Sequence, residues 1–183
     1  MWYVIQVFSG REQTVCDFVT QALEGVADEA GKPVLRECFV PRYQTERKFR
    51  GEYRPVLRSM FPGYVIAVTR RVGLLNRHLK RIPQFTKILG SEQSFVPLDR
   101  AEKALINAFT TEQHRVVRMS KAVSCGDHVV VTEGPLLGRE GWIVQVNRRK
   151  GTARVETKMF GRTLNVEIGL AVVSNVAGGG LIS

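Results

Sequence analysis

The stretch TEGPLLGREGWIVQV, residues 132–146, sets three glycines between two apolar runs. Its reading decides the fold. A loop that cradles nucleotide phosphates and the turn of a small barrel are both rich in glycine. The spacing Gly134-x-x-x-Gly138-x-x-Gly141 fits neither G-x-G-x-x-G nor G-x-x-x-x-G-K-[ST]. It also opens into Trp142–Val146, which reads as a strand, whereas a phosphate loop opens into a helix. A barrel turn is expected, with Gly141 suited to a bulge or a close backbone approach.

Working outward, residues 122–176 read as all-β. Polar and apolar side chains alternate from Thr152 to Met159, the period of a half-buried strand. Asn147–Gly151 (NRRKG) forms a turn between two such runs, and Phe160-Gly161-Arg162 a shorter one. Short strands at this spacing predict a small closed barrel of the SH3-like kind. Its turn chemistry is consistent with a barrel throughout, so no refolding into helices is expected. Residues 177–183 are expected to be a disordered tail. Upstream, residues 110–121 lose periodicity and turn polar. They predict a flexible linker with an r.m.s. span of about 20 Å.

Residues 1–109 carry mixed periods, read as β-α-β-β-α-β-α. Trp2–Phe8 is almost continuously apolar, as in a strand covered on both faces. Ser9 stands three residues before Glu12, a capping-box signature, so a helix is expected from there. Its stripe is Val15, Phe18, Val19, Ala22, Leu23 and Val26. Strands are expected near 34–42, 61–68 and 85–89. A helix carrying Val72, Leu75, Leu79 and Ile82 ends at Pro83, and another starts at Asp99 with Glu102 in capping register. The expected class is α+β, helices on a mainly antiparallel sheet followed by the barrel.

Charge bounds the partners. The 183 residues include 27 Lys+Arg against 17 Asp+Glu, a net +10 with pI near 10.0. Such a field favours a polyanion, and nucleic acid is the commonest. Cys16, Cys38 and Cys125 have no C-x-x-C spacing, and the three histidines no ligand spacing. Cys16 reads as a small core residue. Neither a basic leader nor an apolar run of about 20 residues stands out, so a cytoplasmic location without membrane contact is expected. No Ser/His/Asp set or paired carboxylates stand out. No catalytic residue, cofactor or metal is expected, and the protein is read as a monomer and not as an enzyme.

Further motifs carry a resemblance. Trp2-Tyr3-Val4 with Ser9-Gly10, then Phe61-Pro62-Gly63-Tyr64-Val65 after a basic stretch, resembles the N-terminal (NGN) domain of the NusG family of bacterial transcription elongation factors. Gly126-Asp127, Val129-x-Val131-Thr132-Glu133-Gly134-Pro135, Gly141, Lys150-Gly151 and Met159-Phe160-Gly161-Arg162 through Asn165-Val166-Glu167 are similar to its KOW domain. The motifs follow the family's order over nearly the whole chain.

The resemblance implies docking of the NGN domain on the clamp helices of RNA polymerase. Phe61 and Tyr64 would be the anchors, with Trp2 or Tyr3 lining the same cavity and Phe85 nearby; as plain core residues they would instead fill the sheet. An aromatic contributes at an interface when its 150–250 Å² leaves water. The hairpin RYQTERKFRGEYRPVLR, residues 42–58, interleaves Arg42, Arg47, Lys48, Arg50, Arg54 and Arg58 with Phe49 and Tyr53, Gly51 marking the tip. Such a ribbon tracks phosphates and stacks on unpaired bases. In the family it lies near upstream DNA. A second basic set, Arg70, Arg71, Arg77, Lys80 and Arg81, is expected to face the non-template DNA strand. Some family members read bases with an Asn-Thr pair just before the proline matching Pro83. Arg81-Ile82 stands here, so holding by charge is expected in its place.

In family KOW domains the tip at Phe160-Gly161-Arg162 contacts either termination factor Rho or a small-subunit ribosomal protein, and Met159, Phe160 and Arg162 are all present. This barrel is also basic, with ten Lys+Arg and six Asp+Glu after residue 108. Arg139, Arg148, Arg149, Lys150, Arg154, Lys158 and Arg162 read as an RNA-facing set. These features resemble a specialised paralogue, closer to the LoaP group than to RfaH. They imply processive antitermination guided by a nascent RNA hairpin. The alternatives are a general elongation factor coupled to Rho or the ribosome, and a ribosome-associated KOW protein.

Overall fold

The computed structural model describes residues 1–82, 86–90, 95–110, 115–126 and 128–174. The chain packs as two units that interleave along the sequence. One comprises Met1–Arg42, Ser59–Arg115 and Lys158–Arg162; the other comprises Tyr43–Arg58, Val116–Thr157 and the chain from Thr163 onward. The hairpin belongs with the barrel, and the 158–162 turn with the first unit.

In the first unit, β1 (Trp2–Val7) leads into α1 (Glu12–Ala22) and β2 (Glu37–Phe39). The chain returns, after a hairpin of β3 (Arg42–Phe49) and β4 (Glu52–Ser59), to β5 (Tyr64–Val68), α2 (Val72–Leu79), β6 (Thr86–Ile88) and α3 (Arg100–Phe109). The sheet order is β2-β5-β1-β6, antiparallel at each pairing, with Ile5 opposite Val65 and Ile88. β1 is interior, which accounts for its nearly continuous apolar run: Tyr3, Val4, Ile5 and Val7 are all buried. Tyr3, Ile5 and Val7 share a core with Val15, Cys16 and Val19 from α1, Leu23 just past its end, and Leu75 and Leu79 from α2.

Local chemistry moved two boundaries. The strand expected over 34–42 is only β2, because Pro41 lacks an N–H to continue the ladder. The strand expected from Phe61 starts at Tyr64, since Pro62-Gly63 forms a turn closed by the Tyr64 N–H on the Phe61 carbonyl at 3.1 Å.

The first helix also departs from expectation. It begins at Glu12, and its N-terminus has no side-chain cap from Ser9 or Arg11. Both Glu12 carboxylate oxygens accept the Gly10 N–H at 3.0 Å, and Oε1 accepts the buried Gly63 N–H at 2.6 Å. The carboxylate read as half of a capping box thus also pins the FPGY turn. Glu12→Ala should leave the Gly63 N–H without its acceptor and cost about 1–3 kcal/mol. A urea midpoint equal to wild type would remove that role. At α3 the box forms as read, Asp99 accepting the Glu102 N–H and Glu102 the Asp99 N–H, each at 2.8 Å.

The second unit holds β7 (Val116–Val117), β8 (Ser120–Cys125), β9 (His128–Glu133), a 3-10 turn (Glu140–Trp142), β10 (Ile143–Asn147), β11 (Thr152–Met159) and β12 (Arg162–Ser174). A curled five-stranded sheet runs β10-β11-β12-β8-β9, with β12 parallel to β8, and a three-stranded sheet runs β4-β3-β7. β11 buries Ala153, Val155, Thr157 and Met159 and exposes Arg154, Glu156 and Lys158. This is the α+β sandwich plus SH3-like barrel architecture. The glycine-rich stretch is a barrel turn. A Cβ at Gly134 would lie 2.6 Å from Ser120 Cα, so only glycine fits there, and Leu136, fully buried, donates its N–H to Ser120 Oγ at 3.1 Å. Gly141 sits in the 3-10 turn with open space around it, and the register shift falls just after it, between Ile143 and Gln145.

The expected linker is a correction. Residues 111–114 lie outside the described residues, as does the tail from 175. Arg115 through Lys121, however, are built into the structure. Arg115 is 6% exposed and pairs with both Glu37 oxygens at 2.8 Å; β7 pairs with β3, and β8 begins at Ser120. A polar stretch without periodicity reads as a leash, but one half-buried ion pair and two valines fix most of it.

Candidate nucleic-acid and protein interface

The basic hairpin is built as the sequence suggests, with its turn at Arg50-Gly51. From Glu46 to Arg54 every side chain is exposed. Phe49 is 53% and Tyr53 64% exposed, and cations lie beside both rings: Arg50 and Arg54 are 5.4 and 5.5 Å from the Phe49 centroid, and Lys48 is 6.0 Å from that of Tyr53. Exposed rings flanked by guanidinium and ammonium groups offer stacking faces inside a positive field.

The root of the hairpin is seated within the second unit. Thr45 Oγ1 lies 3.1 Å from the carbonyl oxygens of Lys150 and Gly151, and Tyr43 donates its hydroxyl to Glu167 at 2.9 Å. Burial, then the Glu167 carboxylate, pushes the Tyr43 phenol well above its ordinary range, so it stays a donor. The backbone of β3 presses on β12 so closely that a Cβ on Gly169 would fall 1.9 Å from Gln44 O.

This seating brings together residues assigned separately from sequence. Arg47, Lys48, Tyr53 and Arg58 from the hairpin line one groove with Asn147, Arg149 and Lys150 from the β10–β11 turn. Arg50 and Arg54 stand nearer the tip. The remaining barrel cations are not in this groove. Arg139 donates to the Pro135 carbonyl at 3.0 Å and lies over Trp142, Arg148 donates to Ser124 Oγ at 2.9 Å, and Arg154 and Lys158 are exposed on β11. In the first unit Arg77 lies in the last turn of α2, with Lys80 and Arg81 just beyond the helix, all exposed. Arg71 pairs with Asp28, whose carboxyl is held below its usual range by the Lys32 N–H and then by Arg71.

The aromatic set separates in the structure. Tyr3 is a core residue at 6% exposure, packed in the cluster that holds Ile5 and Val7. Trp2 is half-buried, packed edge-on against Phe39 at 5.3 Å, with the Arg115 guanidinium over both rings. Phe61 is 2% exposed and Tyr64 half-buried. The Phe160 ring lies 5.2 Å from the first and 4.9 Å from the second. Arg162 donates to the Tyr64 hydroxyl, and the Phe160 N–H to Glu102. Phe85 lies outside the described residues. Met159 is fully buried, which corrects its expected role as a surface contact; the β-alternation of its strand turns it inward.

The thiols of Cys16 and Cys38, on α1 and β2, interact so that Cys16 is held down and Cys38, also pushed by burial, is held up, a pairing with no signal in their spacing. Among the described residues no His, Cys, Asp and Glu group is placed to hold a metal ion, and no helix is long and apolar enough to cross a membrane.

The model of the family described as "Transcription termination factor nusG" matches residues 1–107, more than half of the chain, and that of the KOW motif matches 125–156. The chain belongs to the NusG family. Among its relatives, the "Transcription termination/antitermination protein NusG" of Pasteurella multocida is 30% identical over 172 residues, covering 91% of this chain and 90% of the relative. That of Treponema pallidum is 28% identical over 184 residues, covering 94% and 96%. A solved structure described as "Domain interaction in Thermotoga maritima NusG" matches with a TM-score of 0.53 at 17% identity, over 93% of this chain and 92% of that one, a likeness of fold.

Proposed function

We propose that this NusG-family chain is an RNA polymerase-associated elongation factor of the processive antitermination, LoaP-like type. In this reading it docks on the polymerase clamp through the aromatic face around Phe61 and Tyr64 and holds nucleic acid through its cations. The observation that carries it is the hairpin, where five cations and two exposed rings project from Arg47 to Arg58 against one acid, Glu52. A factor that only bridged proteins would gain nothing from that self-repulsion, whereas a polyanion relieves it. Arg77, Lys80 and Arg81 extend the DNA-holding charge, and the barrel cations serve nascent RNA.

Coupling to Rho or a small-subunit ribosomal protein through the 158–162 turn is less well supported. Its methionine is buried and its phenylalanine packed against Phe61 and Tyr64. The test is transcription with bacterial RNA polymerase on a template carrying an intrinsic terminator. Added protein should co-migrate with elongation complexes and increase read-through. Failure to co-migrate at near-physiological salt, or more termination, overturns the reading.

A further inference from the structure

We infer that the groove between the β3–β4 hairpin and the β10–β11 turn is one binding site for a single unpaired nucleic-acid strand, so that single-stranded RNA and DNA exclude one another there. This rests on the nucleic-acid reading above. It departs from that reading by merging a DNA-holding arm and an RNA-holding turn, about a hundred residues apart, into one site.

The groove has a volume of about 710 Å³, within the range of built ligand sites. Arg47, Lys48, Arg58, Arg149 and Lys150 converge on it, against the carboxylates of Glu46 and Glu167. Among the described residues none of the five cations is ion-paired, while Glu167 is engaged by the Tyr43 hydroxyl. Five cations against two carboxylates leave an excess of positive charge in the groove, and phosphates threaded among them relieve that repulsion.

Rigidity distinguishes this from two loose patches that happen to be positive. Thr45 is 3% exposed, and its hydroxyl reaches the carbonyls of Lys150 and Gly151, the residues that carry and follow the turn's cations. Asn147 Oδ1 accepts the Lys150 N–H at 2.9 Å and fixes the turn's shape. The cations of the two walls are therefore held at a set spacing, and one strand's successive phosphates meet both.

Tyr53 selects unpaired bases. It lines the groove yet remains 64% exposed, its ring beside Lys48. Bases within a duplex already stack on one another and offer no free face; unpaired bases do, whatever their identity. Both sugars present the same phosphates and faces, so the site takes either.

The test uses the full chain and a labelled single-stranded RNA of about 12 nucleotides, a length within the usual range for such grooves. Fluorescence anisotropy is read with unlabelled single-stranded DNA, then duplex DNA, as competitor. Single-stranded DNA should displace the RNA completely at one-to-one stoichiometry, with duplex the weaker competitor. Arg149→Ala and Arg47→Ala should each weaken RNA and DNA alike, and Tyr53→Ala should weaken single strands about tenfold while sparing duplex. Affinity should fall with salt at roughly 0.7 in log–log slope per phosphate held. All three side chains are exposed, so melting should not change, and Arg149→Glu provides a second variant on the turn wall. RNA and DNA bound together, or Arg47→Ala affecting DNA only while Arg149→Ala affects RNA only, overturns the single site and leaves the proposed function standing. Binding of neither strand overturns both.

Discussion

Gly169→Ala is expected to unseat the hairpin from the barrel and to lower stability by about 3 kcal/mol or more. The added methyl would lie 1.9 Å from Gln44 O and 3.1 Å from both Gln44 C and Met119 Cγ. Ordinary overpacking costs about 1–3 kcal/mol because side chains and backbone yield a little. Here the nearest atom is a backbone carbonyl in β3, whose strand is also tied down at Tyr43 and Thr45, so no rotamer change relieves the contact. Gly141→Ala is the matched control. It has nothing within 4 Å and should stay within about 0.5 kcal/mol of wild type. Urea unfolding of the two variants decides it, with proteolysis at the hairpin arginines as a second reading. Equal midpoints would mean that β3 does not rest on β12 in solution.

Phe160→Ala is expected to tighten binding to RNA polymerase by roughly tenfold. If Phe61 and Tyr64 form the docking face, Phe160 competes for it, since its ring packs on both. Each such ring pair contributes about 0.5–1.5 kcal/mol, and two together correspond to a population shift of about that size. Phe160 also sits at φ 57, a conformation few non-glycine residues adopt, which is itself a cost borne by the covered arrangement. Phe160→Tyr keeps the ring and should bind like wild type. Titration into elongation complexes reads the effect. Unchanged or weaker binding by a Phe160→Ala protein that melts normally would show that this ring hides nothing the polymerase uses.

Local signals were legible and long-range ones were not. The Asp99–Glu102 box, the β11 alternation, the hairpin tip and the glycine turn at 134 each follow from residues a few positions apart. Glu12 was read correctly as a helix-start carboxylate, but its bond to Gly63 joins residues 51 apart and has no local trace. Arg115 looked like one more linker charge; only Glu37, Phe39 and Trp2 make it a buried anchor. The grouping of Arg47 with Arg149 likewise depends on Gly169, which in the run Glu167–Val173 carries no mark of the strand that crosses it. For the aromatics the sequence supplied the residue types and only the fold could sort Tyr3 into the core and Phe61 beneath Phe160.

The interleaving of the two units has a consequence for how the protein is made. Tyr43–Arg58 leaves the ribosome long before Thr163 and the rest of β12, so the arm must wait, cationic and unseated, while more than half of the polypeptide is still being synthesised. The first sheet likewise lacks the Phe160 turn until late in translation. Maturation of both halves is thus held to the last stretch of synthesis, and a nascent chain stalled before β12 would display bare aromatic and basic surfaces that the finished molecule organises.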